Sequence, residues 1–201
     1  MSHSVDYYFA PQSPWMFLGH ARFRELLRRT GSAVRVLPVD YGRIFPASGG
    51  IPLPQRAPQR QAYRLVELRR FSQWLGIPLN VQPRHFPVAG DPASLLITAV
   101  ARADGAEAAL DLIGAIGAAI WQRELDAADP DVLCQLLQEL GLPAVRLDEA
   151  ASGPVRLAYD EHTRQAIDAG VFGAPSYVVD GEIFWGQDRL ELLAQRLAAA
   201  P

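Results

Sequence analysis

The chain has 201 residues, of which 49% are apolar and 20% charged, with a formal net charge of −3. This balance excludes a disordered or collagen-like chain, and the absence of a basic excess speaks against nucleic acid or an anionic membrane surface as partner. Cys134, the single cysteine, has no partner for an intrachain disulfide or a CxxC pair; the 19 basic residues are all arginine, which excludes a lysine Schiff base or a Walker A lysine. Val5 to Phe9 is aromatic and β-branched and reads as a strand. Ser13 before Pro14 reads as an N-cap with proline at the first helical position, opening a helix to about Arg29 that uses Phe17, Ala21 and Leu27 as apolar positions and stops at Gly31. Val34 to Val39 is a second strand, so the first 40 residues read β-α-β, a parallel pair with a right-handed crossover.

Residues 42–60 hold four prolines and three glycines and are expected to be a long irregular segment. A helix follows from about Gln59 to Leu75, closed by Gly76-Ile77-Pro78, and residues 79–91 are again irregular. From Pro92 the pattern is helical almost to Gly170, with breaks at Asp104-Gly105, Asp129-Pro130, Gly141-Leu142-Pro143 and Ser152-Gly153-Pro154. Pro175 to Val179 reads as a strand, Asp180-Gly181 as a hairpin turn and Glu182 to Trp185 as the return strand. Asp188 is then expected to cap a final helix, with Glu191 at the capping-box position. A β-α-β unit, an all-helical block and a β-β-α unit predict an α/β chain: a thioredoxin-like fold with a helical domain inserted between its halves. The expected boundaries are 1–45 plus 171–201 for the thioredoxin-like domain and 46–170 for the insertion.

In such a fold the reactive residue sits at the first turn of the first helix, where unpaired N–H groups and a partial positive charge stabilise an anion such as a thiolate. Here that segment is Ser13-Pro14-Trp15-Met16. Without cysteine it cannot exchange a disulfide, but it can hold a thiolate brought by a ligand; the alternative is that Ser13 is only a helix cap. Ala174-Pro175 follows a glycine turn at the start of a strand. A cis bond there would offer the Ala174 backbone to an extended ligand, whereas a trans bond would only open an edge strand. Asp188 either caps its helix and nothing more, or joins Gln187 in holding an amino-acid head group.

The aromatic first strand leading to Ser13-Pro14-Trp15, the helix with Tyr63, Glu67-Leu68, Arg70 and Phe71, and the Gly76-Ile77-Pro78 and Phe86-Pro87 breaks carry a resemblance over essentially the whole length. So do Trp121 with Asp126 and Asp129-Pro130, Val171 to Pro175, and Trp185 to Leu190. The chain resembles the 2-hydroxychromene-2-carboxylate isomerase family, relatives of kappa-class glutathione transferases. The resemblance implies a homodimer that binds glutathione and acts on a small aromatic carboxylate. It makes Ser13 the catalytic residue, bonded to the glutathione sulfur, pairs the Ala174 backbone with the cysteinyl residue before a cis Pro175, and gives Gln187 and Asp188 the γ-glutamyl group. Trp15, Tyr41, Phe45, Arg56, Arg60, Arg84 and His85 are the expected apolar walls and cations for the substrate. A transferase of the kappa type and a non-catalytic glutathione-binding protein are the alternative functions. The family's Asp and Trp in the Asp-Leu-x-Arg-Trp helix are Glu67 and Phe71 here, Ala10-Pro11-Gln12 replaces a loop that is often acidic, and residues 42–60 lack the usual asparagine.

The remaining candidates read as structural. Cys134 lies among leucines on a helix and is expected to be a buried, inert thiol. His20 is expected to pack, His162 to be solvated, and His85 either to line the pocket or to order its loop. Trp74, Trp121 and Trp185 are expected in the core or a dimer interface. The four histidines lack metal-ligand spacing, so no metal site is expected. No apolar run approaches the roughly 18 residues of a membrane span, and the segment MSHSVDYYFA has neither the basic nor the apolar stretch of a secretory signal; a cytoplasmic location and no membrane partner are the expectation.

Overall fold

The computed structural model describes residues 3–198. Strands β1 (Ser4–Phe9), β2 (Ala33–Pro38), β3 (Ser176–Val179) and β4 (Glu182–Trp185) form one sheet in the order β2-β1-β3-β4. β1 and β2 are parallel, with Ser4 opposite Ala33 and Phe9 opposite Pro38, and are joined by helix α1 (Pro14–Thr30). β3 runs antiparallel to β1, pairing Ser176 with Tyr8, and turns into β4 through Asp180 and Gly181. Both turn residues have positive φ, 51° and 82°, the requirement of the tight turn that matches strand twist. This is the thioredoxin-like arrangement the element order predicts.

The two-residue period of the strands distributes the core. Val5, Tyr7 and Phe9 of β1 and Tyr177 and Val179 of β3 face one side, where α1, α4 (Asp91–Ala103) and α5 (Ala106–Trp121) cover them. Tyr8 and Val178 face the other side, packing with Leu37, Val39, Ile44, Ala166 and Val171. Helices α6 (Pro130–Glu139), α7 (Arg146–Ala150) and α8 (Gly153–Asp168) close the helical segment. The larger apolar cluster is continuous from the sheet through Leu96, Ile113 and Trp121 to Leu136, so sheet and inserted helices share one core.

Helix α1 begins where Ser13 and Pro14 predict and ends at Gly31 with φ 63°. Its buried face is Met16, Gly19, His20, Phe23, Leu26 and Leu27; Phe17 is partly buried and Ala21 is exposed. Residues 42–60 are more ordered than their prolines and glycines suggest. Asp40 caps the Gly42 N–H at 2.7 Å and starts α2 (Tyr41–Ser48), which contains Pro46 and stops at Gly49; a short 3-10 turn at Leu53–Gln55 leads to α3 (Pro58–Leu75). The side-chain cap supplies the first-turn hydrogen bond that outweighs one proline near the helix end. The expected capping box at the C-terminal helix is absent. A 3-10 turn at Gln187–Arg189 precedes α9 (Leu190–Ala198). Asp188 there pairs with Arg189 at 2.6 Å, and Glu191 pairs with Arg22 of α1 at 2.6 Å. Ion pairing, with the adjacent Arg189 for Asp188 and with α1 for Glu191, has taken both carboxylates away from the helix terminus.

Candidate active site

The N-terminus of α1 is built as its sequence demands. Ser13 has extended backbone, and its hydroxyl oxygen accepts the Met16 N–H at 3.3 Å. A serine hydroxyl that accepts one such bond still has its proton to give, so capping and ligand binding are compatible at this atom. The antiparallel register that sets Tyr8 opposite Ser176 carries the loop after β1 past Ala174-Pro175. That bond is cis, as is Phe86-Pro87.

The turn before Pro175 is held firmly. The Gly173 carbonyl accepts from the Tyr41 hydroxyl and from the Ser176 hydroxyl, both at 2.7 Å, and the Pro175 carbonyl accepts the Gly186 N–H at 2.9 Å. A methyl on Gly173 would collide with the Trp185 indole, which would have to shift to admit it. Burial raises the Tyr41 phenol well above its usual range, so it stays a hydrogen-bond donor at any working pH.

Between α1, α3 and this turn lies a cavity of about 530 Å³. Trp15 and Ala174 line one side, and Trp185, Gly186, Gln187, Asp188 and Arg189 form its end. The opposite wall comes from α3 and the residues just before it: Arg56, Gln59, Arg60, Tyr63, Arg64, Glu67 and Phe71, a helical stripe of period three to four. Phe71 meets Trp15 edge-on with ring centroids 5.7 Å apart. A second cavity of about 460 Å³, lined by Phe45, Ile51 and Phe172, shares Arg56, Arg60 and Trp185 with the first.

Of the residues expected from the sequence, the structure brings Trp15, Arg56, Arg60, Ala174, Gln187 and Asp188 to the main cavity and Phe45 to the adjoining one. Ser13 and Pro175 are not among the lining residues; they lie beside Trp15 and Ala174 in the chain. Tyr41 sits behind the Ala174 turn with its hydroxyl committed to Gly173. His85 stands away from both cavities, its Nδ1 3.8 Å from the Asp126 carboxylate. Arg84 also lines neither, and its N–H donates to the Glu124 carboxylate at 3.1 Å. Gln187 is buried, with its carboxamide oxygen accepting from Arg22 at 3.1 Å. A methyl on Gly19 would come within 2.8 Å of the Gln187 Cβ, so the glycine makes that fit possible. Arg64, Trp185 and Arg189 are wall residues to which the sequence reading gave no site role; the four-residue spacing of Arg56, Arg60 and Arg64 is the signal that marks the first of them.

Among the structural candidates, His20 is buried as expected and donates from Nε2 to the Leu110 carbonyl at 2.8 Å, which leaves Nδ1 bare. His162 is not solvated: burial lowers its pKa to about 4, as it does for His20. It lies on the face of α8 that packs against β2. Cys134 is only half-buried, its sulfur accepting from Gln138. Trp121 is fully buried, whereas Trp74 and Trp185 are exposed. Among the described residues no cluster of His, Cys, Asp and Glu could hold a metal, and no helix is long and apolar enough to cross a membrane.

The DsbA-like thioredoxin domain family matches residues 4–198. A 2-hydroxychromene-2-carboxylate isomerase of Sphingobium xenophagum is 31% identical over 98% of this chain and 99% of its own length. The protein of the same name from Pseudomonas putida is 30% identical over 94% and 91%. The chain belongs to the 2-hydroxychromene-2-carboxylate isomerase family of DsbA-like proteins. A solved structure of such an isomerase superposes with a TM-score of 0.80 at 26% identity, covering 96% of this chain and 94% of the other. The cytosolic disulfide reductase DsbM from Pseudomonas aeruginosa, described with GSH, shares the fold at 18% identity, with a TM-score of 0.69 and 98% and 100% coverage. In this member of the isomerase family the first turn of α1 carries Ser13 and Met16 and no cysteine, and Glu67 is turned along its helix to Arg70 at 2.8 Å. Bonds from Arg70 and the Tyr63 hydroxyl hold the Glu67 carboxyl below its usual range, so it is an anion at neutral pH.

Proposed function

We propose that this chain is a glutathione-dependent isomerase of the 2-hydroxychromene-2-carboxylate type. The observation that carries the reading is the cavity itself, which joins the α1 N-terminus and the Ala174 turn to aromatic walls and arginines, in a chain 31% identical to a named isomerase. The residues present suit glutathione. Asp188 and Arg189 are an exposed acid–base pair at the cavity end, and an amino-acid head group can replace that pair, its ammonium on Asp188 and its carboxylate on Arg189. Ala174 offers backbone groups to the central peptide.

When bound, glutathione supplies a thiolate that adds reversibly to a conjugated carbon and so frees a double bond to rotate. Ser13 donates its hydroxyl proton toward that sulfur while keeping the Met16 N–H, and the α1 N-terminus favours the anion. Trp15, Phe71 and Trp185 give flat apolar surfaces for an aromatic ring. Arg56 and Arg60 orient a carboxylate, reached from both cavities.

The test is the absorbance change of 2-hydroxychromene-2-carboxylate on conversion to its open-chain isomer, with and without reduced glutathione. Turnover that needs glutathione is the expected result. Conjugation of a chloronitrobenzene with no isomerisation would replace this reading by the transferase one, and binding of glutathione without either reaction by the non-catalytic one.

A further inference from the structure

The backbone groups of the turn before β3 divide into two sets. The Gly173 carbonyl accepts two hydroxyls, from Tyr41 and from Ser176, both at 2.7 Å, which fills both of its lone pairs. The Pro175 carbonyl takes the Gly186 N–H at 2.9 Å. Between them, the N–H and the carbonyl of Ala174 make no hydrogen bond among the described residues, and Ala174 lines the main cavity. The Tyr41 hydroxyl comes to this turn from a different element, and that element is tied down. Asp40 caps the Gly42 N–H of α2 and gives its own N–H to the Thr163 hydroxyl of α8 at 3.0 Å. Arg43 pairs with Asp160 of α8 at 2.8 Å, and the Tyr41 ring packs on Phe45 with centroids 5.4 Å apart.

One donor is enough to satisfy a turn carbonyl, and Ser176 supplies it locally. The second donor has a geometric effect. The Gly173 carbonyl and the Ala174 N–H belong to one planar trans peptide, so they point in opposite directions and turn together. Two hydroxyls on the carbonyl therefore aim the free N–H on the other edge of the same plane. From this geometry we propose that Tyr41 is a positioning residue for glutathione: its hydroxyl sets the direction in which the Ala174 N–H meets the central peptide of the ligand. The gain is preorganisation, since a peptide plane already held needs no ordering when the ligand arrives. The proposal rests on the glutathione-dependent reading for the ligand, and on the turn alone for the role of Tyr41.

Tyr41→Phe removes one hydroxyl and keeps the ring, the Ser176 bond and the cavity walls. Calorimetric titration of reduced glutathione into wild type and variant is the direct measure. The expected result is binding about three- to tenfold weaker in the variant, the range of one neutral hydrogen bond. In the isomerase assay the KM for glutathione should rise by the same factor, while kcat and the KM for the chromene acid stay within about twofold. A purely structural role would lower the urea midpoint and leave the glutathione constants where they are. If Tyr41→Phe fails to fold by circular dichroism, Ser176→Ala takes the other hydroxyl from the same carbonyl and should weaken glutathione by a similar factor. Unchanged glutathione affinity in the folded variant, or a fall in kcat at unchanged KM, would overturn the proposal and leave the isomerase reading standing. A wild type that binds no glutathione would overturn both. Weaker binding in the variant, with no isomerase turnover in either protein, would remove the isomerase reading and leave Tyr41 its role.

Discussion

The Ser13 hydroxyl is asked to serve a helix and a ligand together, and the two roles separate in substitution. Replacing an N-cap serine by alanine costs about 1 kcal/mol, whereas glycine costs only a few tenths. Ser13→Gly should therefore unfold close to the wild type in urea while losing at least about tenfold in glutathione-dependent turnover, the scale of one lost donor to a developing anion. A Ser13→Gly enzyme with unimpaired turnover would reduce Ser13 to a cap. His20 gives a second residue-level prediction. Burial lowers its pKa from 6.5 to about 4 in the fold. The unfolded chain thus takes up a proton below about 6.5 that the folded chain refuses until about 4, so stability falls with acidity across that window and levels off below it. The full loss from His20 is on the order of 3 kcal/mol, of which about 2 is reached at pH 5. Urea unfolding at pH 7.5 and pH 5 should show that drop and a similar one from His162, whose pKa burial also lowers to about 4, so His20→Gln should remove about half of the total. Identical pH dependence in the variant would place the acid sensitivity elsewhere, at His162 first.

Helix α3 is the element on which the site depends, and it is the least anchored. Over Pro58–Leu75 only Leu68 is buried, because the stripe that a globular helix would bury here lines the cavity instead. Helices α4 and α5 bury nearly continuous runs, from Ala93 to Val100 and from Ala109 to Trp121. Few buried apolar contacts mean a low local opening free energy. Amide hydrogen exchange should be faster in α3 than in α4 or α5, and should slow in α3 when glutathione and an aromatic acid are added together. Equal protection in all three helices, unaffected by ligand, would show that α3 is a fixed wall. The ends of α3 were legible in the sequence, since Pro58 and Gly76 punctuate it, but its facing was not. A polar helix with scattered aromatics reads the same whether its stripe meets a core or a cavity. Helix α2 is hidden for a different reason: four prolines and three glycines over residues 42–60 read as irregular, and the Asp40 cap that starts the helix stands before that segment. At the C-terminus the reverse held, where a capping-box pattern at Asp188 and Glu191 met the neighbouring Arg189 and the distant Arg22, which claimed the two carboxylates.

At the scale of the molecule, the split β-α-β and β-β-α pattern was readable because each strand and helix carries its own stop signal, and the sheet order follows from it. What no local signal reports is which distant segments meet. Tyr41 was expected at the substrate and instead braces Gly173 across 132 positions of chain, while His85 faces Asp126 away from the cavity. The continuous core fixes these encounters, since it locks the inserted helices onto the same sheet that presents Ser13 and Ala174. The site is thus a product of the whole fold, and its central claim is that the cleft beside α1 takes glutathione. Calorimetric titration of reduced glutathione into the wild type and into Asp188→Ala tests this most directly. Micromolar-to-millimolar binding, weakened at least about tenfold in the variant by loss of the ammonium partner, is the predicted result. A wild-type chain that binds no glutathione, or an Asp188→Ala chain that binds it equally well, would contradict the account.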